Sequence, residues 1–93
     1  MKPLAPDAVP VVVNIRHSDY DVFIGRPGKW GNLFRIGQFG NREQCIARYR
    51  EWLLRHPRLM DLGELKGKRL GCYCKPLPCH GNVLVELYRK YVR

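Results

Sequence analysis

Apolar residues follow two patterns along the chain: short β-branched runs and longer segments with helical spacing. Residues 9–16 form a nearly continuous β-branched run, which is typical of a strand buried on both faces. Pro10 suits the first position of such a strand, where a missing N–H donor is tolerated. Residues 22–24 predict a second, short strand, and residues 69–74 predict a third.

Helical spacing appears in two segments. Asn41 is a favourable N-cap and Gln44 completes a capping-box pattern, so a helix is predicted from this point up to Pro57. Its predicted buried face consists of Cys45, Ile46, Tyr49, Trp52, Leu53 and His56. Residues 58–65 predict a short helical turn, and residues 82–92 a closing helix. The predicted buried stripe of that closing helix consists of Val83, Leu84, Leu87, Tyr88 and Tyr91.

Strands separated by helices imply parallel pairing with right-handed crossovers. The expected fold is therefore α/β, a small Rossmann-like sandwich of two or three layers around a short, mostly parallel sheet. Residues 9–93 form the single domain in this interpretation, and residues 1–8 form a flexible N-terminal arm. A chain of 93 residues is too short for an architecture with two half-domains. Because so small a sheet leaves free edges, a homodimer is also plausible.

Composition restricts the choice of partners. The net charge is +9, from 17 Lys and Arg against 8 Asp and Glu, and the cations are spread along the chain rather than clustered in a tail. This balance favours phosphate-bearing partners, with a merely solubilising surface as the alternative. No apolar run approaches membrane-spanning length and the N-terminus lacks an apolar leader, so a cytoplasmic protein with reduced thiols is expected, without a membrane partner.

Residues 25–32 predict the first candidate binding loop. Glycines, Gly25 among them, let backbone N–H groups approach a ligand. Arg26 and Lys29 supply positive charge, and Trp30 offers a flat face for a base. Asn32, the last residue of this loop, is also a candidate ligand-binding residue. The alternative is an ordered surface loop pinned by its aromatic residues. The loop lacks Gly-Lys-Ser/Thr, so a Walker A site is not supported.

Residues 72–82 predict the second loop, in which three of the four cysteines are concentrated. Cys72 and Cys74 would project to one face of a strand, and Cys79 and His80 would begin a helix. Three interpretations remain open. The first is a zinc site whose ligands are Cys72, Cys74, Cys79 and His80.

The second interpretation is a metal-free anion or nucleotide site. The helix N-terminus, including Gly81, would bind the anion and lower the pKa of the Cys79 thiol. Cys79 or His80 would then act as nucleophile or general acid/base. The third is plain packing of small, buried cysteines where strand meets helix.

The motifs of these two loops resemble a known family. The residues that carry the resemblance are Ile24-Gly25-Arg26-Pro27, Lys29-Trp30-Gly31-Asn32, Tyr49-Arg50-Glu51-Trp52-Leu53, Leu65-Lys66-Gly67-Lys68-Arg69-Leu70 and Cys72-x-Cys74-x-Pro76-x-x-Cys79-His80-Gly81. Over about residues 12–88 the chain is similar to domain of unknown function 4326, found in phages and prokaryotes. Leu33 departs from that family, which usually has proline there.

A weaker local similarity, at Cys72, Cys79 and His80, is to domain of unknown function 488. Neither resemblance implies a reaction, and the similarity to domain of unknown function 488 implies an α/β fold with a nucleotide- or nucleic-acid-related site. If a phage encodes the chain, the expected location is the host cytoplasm. The first functional hypothesis is therefore binding, with or without processing, of a nucleotide or nucleic-acid phosphate. The alternatives are a zinc-stabilised interaction module and a DNA- or RNA-binding accessory protein.

Overall fold

The computed structural model describes residues 4–92. Its elements, in chain order, are strands β1 (Val11–Asn14) and β2 (Val22–Phe23), helix α1 (Arg42–Arg55), a 3-10 helix (Pro57–Leu65), strand β3 (Arg69–Cys72) and helix α2 (His80–Tyr91). The predicted elements are therefore all present, and the strands are shorter than the apolar runs that predicted them.

The three strands form one parallel sheet with β3 in the centre, in the order β1-β3-β2. Leu70 of β3 is paired with Val12 on one side and Val22 on the other. This confirms the predicted α/β class and the parallel pairing. The Rossmann-like detail of that expectation stays a prediction.

Residues 15–21 return the chain from the end of β1 to the start of β2. Because both strands run parallel to β3, this segment passes across the face of the central strand. Gly71 makes room for it, since a Cβ there would lie 2.6 Å from Ile15 Cγ2 and 2.7 Å from Tyr20 Cγ. Asp21 ends the segment, and its carboxylate accepts a 2.8 Å hydrogen bond from the Arg69 backbone N–H.

Helix α1 begins as predicted. The Asn41 side chain accepts from the Gln44 backbone N–H, and the Gln44 side chain accepts from the Asn41 N–H, both at 2.9 Å. These two bonds satisfy N–H groups that a helix start leaves without intrahelical partners. Helix α2 begins at His80 with Cys79 as its N-cap, as expected for the second loop and two residues before the segment 82–92 with helical spacing.

The two helices and the 3-10 helix pack together on one face of the sheet, where α2 contacts β1. The core on this face joins strand and helix residues: Val12, Ile24, Leu70, Tyr49, Leu53, Leu62, Leu65, Val83, Leu84, Leu87 and Tyr88. The predicted stripe of the closing helix is confirmed except for Tyr91, which is exposed because it lies in the last turn. Within residues 4–92 the architecture is thus two layers, with the return segment lying on the opposite face.

The N-terminal residues that the structure describes lie against the body of the domain. Residues 5–8 form a turn, and the Gly67 N–H donates to the Ala8 carbonyl. Gly67 has a φ of +70°, and a Cβ there would lie 2.7 Å from the Pro6 carbonyl oxygen. This part of the predicted flexible arm therefore has a defined contact, whereas residues 1–3 lie outside the described residues. No helix within residues 4–92 is both long and apolar enough to cross a membrane.

Candidate functional site

A cavity of about 490 Å³ opens at the carboxyl ends of the parallel strands. It is lined by both candidate loops, by the start of α1 and by the segment before α1. The lining residues are Phe23, Gly25, Arg26, Asn32, Phe34, Arg35, Ile36, Arg42, Cys45, Ile46, Cys72, Tyr73, Cys74, Cys79 and His80. In parallel α/β sheets this edge is where ligands bind.

Three arginines, Arg26, Arg35 and Arg42, line the cavity, and no carboxylate is found among the described residues that line it. None of the three forms a salt bridge within residues 4–92. Arg26 donates one bond to the Asn32 carbonyl (2.8 Å), and Arg42 donates one to the Pro78 carbonyl (3.2 Å). Since a guanidinium has five N–H donors, these two bonds use only a small part of the donor capacity of the three side chains.

Aromatic rings form another part of the wall: Phe23, Phe34 and Tyr73. The rings of Phe23 and Tyr73 meet edge to face, with centroids 5.7 Å apart. Gly25 is required for this arrangement, because a Cβ there would lie 2.3 Å from Phe23 Cζ. The glycine thus acts by making room for an aromatic wall.

Several of the lining residues were missed by the sequence analysis. Arg42 is not on the predicted buried face of its helix, yet it is the first residue of α1, and its guanidinium donates a hydrogen bond to the Pro78 carbonyl of the second loop. The segment before α1 is irregular, so its sequence has no period that would indicate which way each side chain points. It contains Phe34, Arg35 and Ile36. The one available signal was that Arg42 follows the capping residue Asn41, since the N-terminus of a helix attracts anions.

Lys29 and Trp30, two of the residues predicted to contact a ligand, do not line the cavity. Trp30 is 2% exposed, and its indole N–H donates to Glu64 at 3.0 Å. The Lys29 ammonium lies 2.9 Å from Asp61 and 3.1 Å from Glu64, and these hydrogen bonds raise its pKa. Both side chains therefore attach the first loop to the 3-10 helix, which agrees with the alternative of an ordered loop pinned by its aromatic residues.

Asn32 and Gly81 have structural contacts of their own. The Asn32 amide accepts from the Phe34 N–H (2.9 Å) and donates to the Cys45 carbonyl (3.3 Å), so it shapes the loop wall. Gly81 is buried, and a Cβ there would lie 2.9 Å from Ile24 Cδ1. Its N–H donates to the Cys79 sulfur (3.3 Å) rather than pointing freely at a ligand. Close packing of α2 on the sheet explains this glycine.

The Cys79 thiol does not have the lowered pKa that the sequence predicted. Burial raises its pKa to about 12, and the neighbouring Cys72 thiol, 3.7 Å away, adds to the rise. The Gly81 N–H lowers the pKa, as expected at a helix N-terminus, but burial outweighs it. At neutral pH the group is therefore a thiol that caps α2.

His80 is buried as well, and its Nε2 lies 2.6 Å from the Ile24 carbonyl. Because a carbonyl only accepts, Nε2 carries the proton and donates it to this bond. The ring also meets Tyr49 edge to face, with centroids 5.1 Å apart. Burial lowers the pKa of His80, and the nearby Arg26 lowers it further. A neutral imidazole that joins α2 to the end of β2 fits a structural role better than the predicted acid/base role.

This burial predicts a pH dependence of stability. In the unfolded chain His80 takes up a proton as the pH falls below about 6.5, whereas in the folded protein it resists protonation. The unfolded state then binds more protons, so the free energy of unfolding should fall below pH 6.5, by up to about 1.4 kcal/mol per pH unit. Urea unfolding at pH 7.5 and pH 5.0 measures the change.

The matched variants are His80→Gln and His17→Gln, since His17 is exposed. The change in stability between pH 7.5 and pH 5.0 should shrink in His80→Gln and persist in His17→Gln. Equal changes in both variants would show that His80 does not cause the effect.

The predicted zinc ligands are not assembled into a site. Within residues 4–92 no group of three or more His, Cys, Asp or Glu side chains is arranged to hold a metal ion. The Cys72 and Cys79 thiols are adjacent, but the His80 Nε2 is engaged by a backbone carbonyl. The donor set therefore does not fit a zinc ion in this arrangement.

Comparison with known proteins gives a family and no activity. The family model described as domain of unknown function (DUF4326) matches residues 13–90. The chain is 36% identical over 85 residues to an uncharacterized 12.4 kDa protein in the nrdA-td intergenic region of Enterobacteria phage T4, covering 85% of this chain and 77% of that protein.

It is also 32% identical over 104 residues to an uncharacterized protein of Acanthamoeba polyphaga mimivirus, covering 86% of this chain and 80% of the relative. No solved structure matches the chain. The weaker similarity to domain of unknown function 488 stays a prediction. Because the family model spans most of the chain, including both loops that line the cavity, this protein belongs to the DUF4326 family.

Proposed function

We propose that the protein binds a nucleotide, or a nucleotide unit of a larger molecule, in the cavity at the carboxyl edge of the sheet. The observation that carries this proposal is that Arg26, Arg35 and Arg42 line one cavity together with aromatic rings and without a lining carboxylate. Three guanidiniums suit a phosphate group, because each offers fork-shaped donors to its oxygens. The rings suit a base, since aromatic side chains stack on its face.

The role proposed for each residue of the cavity follows from its position in the fold. Arg42 stands at the N-terminus of α1, where the helix dipole adds to its charge. Arg26 lies on the first loop and Arg35 on the segment between the loop and the helix, so the arginines come from separate parts of the chain. The rings of Phe23, Phe34 and Tyr73 provide the apolar wall. A cavity of about 490 Å³ is within the usual range for small-molecule sites.

The proposal is of binding rather than of a reaction. Burial raises the pKa of the Cys79 thiol to about 12, and the His80 Nε2 is held by a carbonyl, so neither residue is poised for acid/base or nucleophilic chemistry. We expect this function in the cytoplasm, which is the host cytoplasm where a virus encodes the protein.

Calorimetric titration with four compounds tests the proposal: AMP, ATP, inorganic pyrophosphate and adenosine. AMP and ATP should bind. Pyrophosphate should bind more weakly because it lacks the base, and adenosine should bind more weakly because it lacks the phosphate. At a hundredfold excess over Kd a ligand adds about 2.7 kcal/mol of stability, which should raise Tm by about 10–20 °C. Affinity should fall as salt is raised.

Two results would overturn the proposal. One is that none of the four compounds binds at millimolar concentration. The other is adenosine binding as tightly as AMP, because the arginines would then contribute nothing.

A further inference from the structure

A row of aromatic rings lies on the sheet face that the helices leave open. Phe23 is paired with Gly71, so it projects to the same face as the return segment 15–21. Its ring lies between those of Tyr20, at a centroid distance of 6.3 Å, and Tyr73, at 5.7 Å. The Arg16 guanidinium lies 5.9 Å from the centre of the Tyr73 ring. Tyr20 is 46% exposed and Tyr73 59% exposed, so the row is accessible.

This row is continuous with the cavity. Phe23 and Tyr73 line the cavity wall, whereas Tyr20 lies beyond it on the open face. A ligand confined to the cavity would therefore leave the outer ring and Arg16 unused. A chain of stacked bases that leaves the cavity past Tyr73 would meet both.

We propose that the ligand is single-stranded nucleic acid, with one nucleotide in the cavity and its neighbours stacked along Tyr73 and Tyr20. This inference rests on the proposed function and extends it from a single nucleotide to a strand. Stacking on aromatic side chains tolerates any sequence, because every base has a flat face. Arg16 supplies charge for the backbone outside the cavity.

The net charge of the chain favours nucleic acid over a second copy of the chain. Two copies that each carry a net charge of +9 repel one another, whereas a polyanion is attracted. The acidic residues of the return segment are Asp19 and Asp21. The Asp21 carboxylate accepts from the Arg69 N–H and lies 3.9 Å from the Arg69 guanidinium, which offsets part of its charge, whereas Asp19 is exposed.

Fluorescence anisotropy with single-stranded oligothymidylates of increasing length tests the inference, with unlabelled dTMP as competitor. Affinity should rise over the first few nucleotides by roughly five- to 150-fold for each stacked base. A duplex of the same length should bind more weakly, since its bases are already stacked. An oligouridylate of equal length distinguishes RNA from DNA as the preferred strand.

The decisive variant is Tyr20→Leu, which keeps apolar packing over Gly71 but removes the ring. It should weaken binding of a six-nucleotide strand at least fivefold and leave dTMP binding unchanged. Tyr91→Leu is the matched control, because Tyr91 is 50% exposed beside Lys90 on a different part of the surface. This control variant should bind the strand as the unmodified protein does.

The outcomes separate the two proposals. If dTMP binds but affinity does not grow with length, or if Tyr20→Leu binds the strand normally, the inference fails and the proposed function stands. If a duplex binds as well as the single strand, stacking is not used and the inference fails. A dimer in sedimentation that Tyr20→Leu dissociates would assign the face to a second copy and also overturn it. If dTMP does not bind while AMP does, the inference fails and the proposed function stands, and if neither nucleotide binds, both proposals fail.

Discussion

Replacing Arg26 and Arg42 together by alanine is expected to weaken nucleotide binding at least about a hundredfold. Each charged hydrogen bond contributes about 1.5–3 kcal/mol, and each factor of ten in affinity corresponds to about 1.4 kcal/mol. The two residues approach the cavity from different elements, so a phosphate between them would lose contacts on two sides. Titration of the double variant with ATP measures the loss.

The controls separate charge from shape and from folding. Arg89→Ala removes an exposed cation outside the cavity and should leave the affinity unchanged. Lysine at positions 26 and 42 should recover only part of the affinity, because an ammonium lacks the planar fork of a guanidinium. Circular dichroism checks that each variant is folded. If the folded double alanine variant bound ATP as tightly as the unmodified protein, the cavity would not be the phosphate site.

Replacing Trp30 by alanine is expected to lower the free energy of unfolding by about 3–5 kcal/mol, the usual cost of emptying a large core position. That is a large part of the 5–15 kcal/mol available to a domain. Trp30 is 2% exposed and bonded to Glu64, and its carbonyl accepts from the buried Tyr49 hydroxyl at 2.9 Å. Urea unfolding measures the loss, with Tyr91→Ala as an exposed aromatic control that should change stability by less than about 0.5 kcal/mol.

A second substitution at this position tests the stacking role that the sequence suggested. Trp30→Leu keeps an apolar side chain but removes the ring, and its folded fraction should bind nucleotides as the unmodified protein does, because the indole lies outside the cavity. A hundredfold loss of ATP affinity in the folded fraction of Trp30→Leu would restore the stacking role and contradict the placement of this ring in the core.

Periodicity and local chemistry were enough to predict the elements of the fold. The capping box of Asn41 and Gln44 lies within four residues, so its geometry depends on local backbone alone. The β-branched run around Val12 and the short run at Val22 have the composition of buried strands, and both pair with β3. The helical segments between β2 and β3 predicted parallel pairing, and the parallel sheet brings both loops to one edge.

The direction of side chains in the loops was decided by the tertiary structure. The first loop has no period, so its sequence could not show that Trp30 points into the core and Arg26 into the cavity. Arg35 and Arg42 joined the site only because the segment before α1 folds back beside the second loop.

The chemistry of the second loop was also a tertiary property. The sequence correctly placed Cys79 and His80 at the start of a helix, where a thiol pKa would be lowered by the nearby N–H groups. Burial is set by elements distant in sequence, and here it raises the pKa of Cys79 and lowers that of His80. The sequence by itself thus determined the elements, the parallel sheet and the edge where the loops meet. Tertiary packing decided which side chains line the cavity and which protonation states they hold, because burial and charge depend on contacts between distant residues.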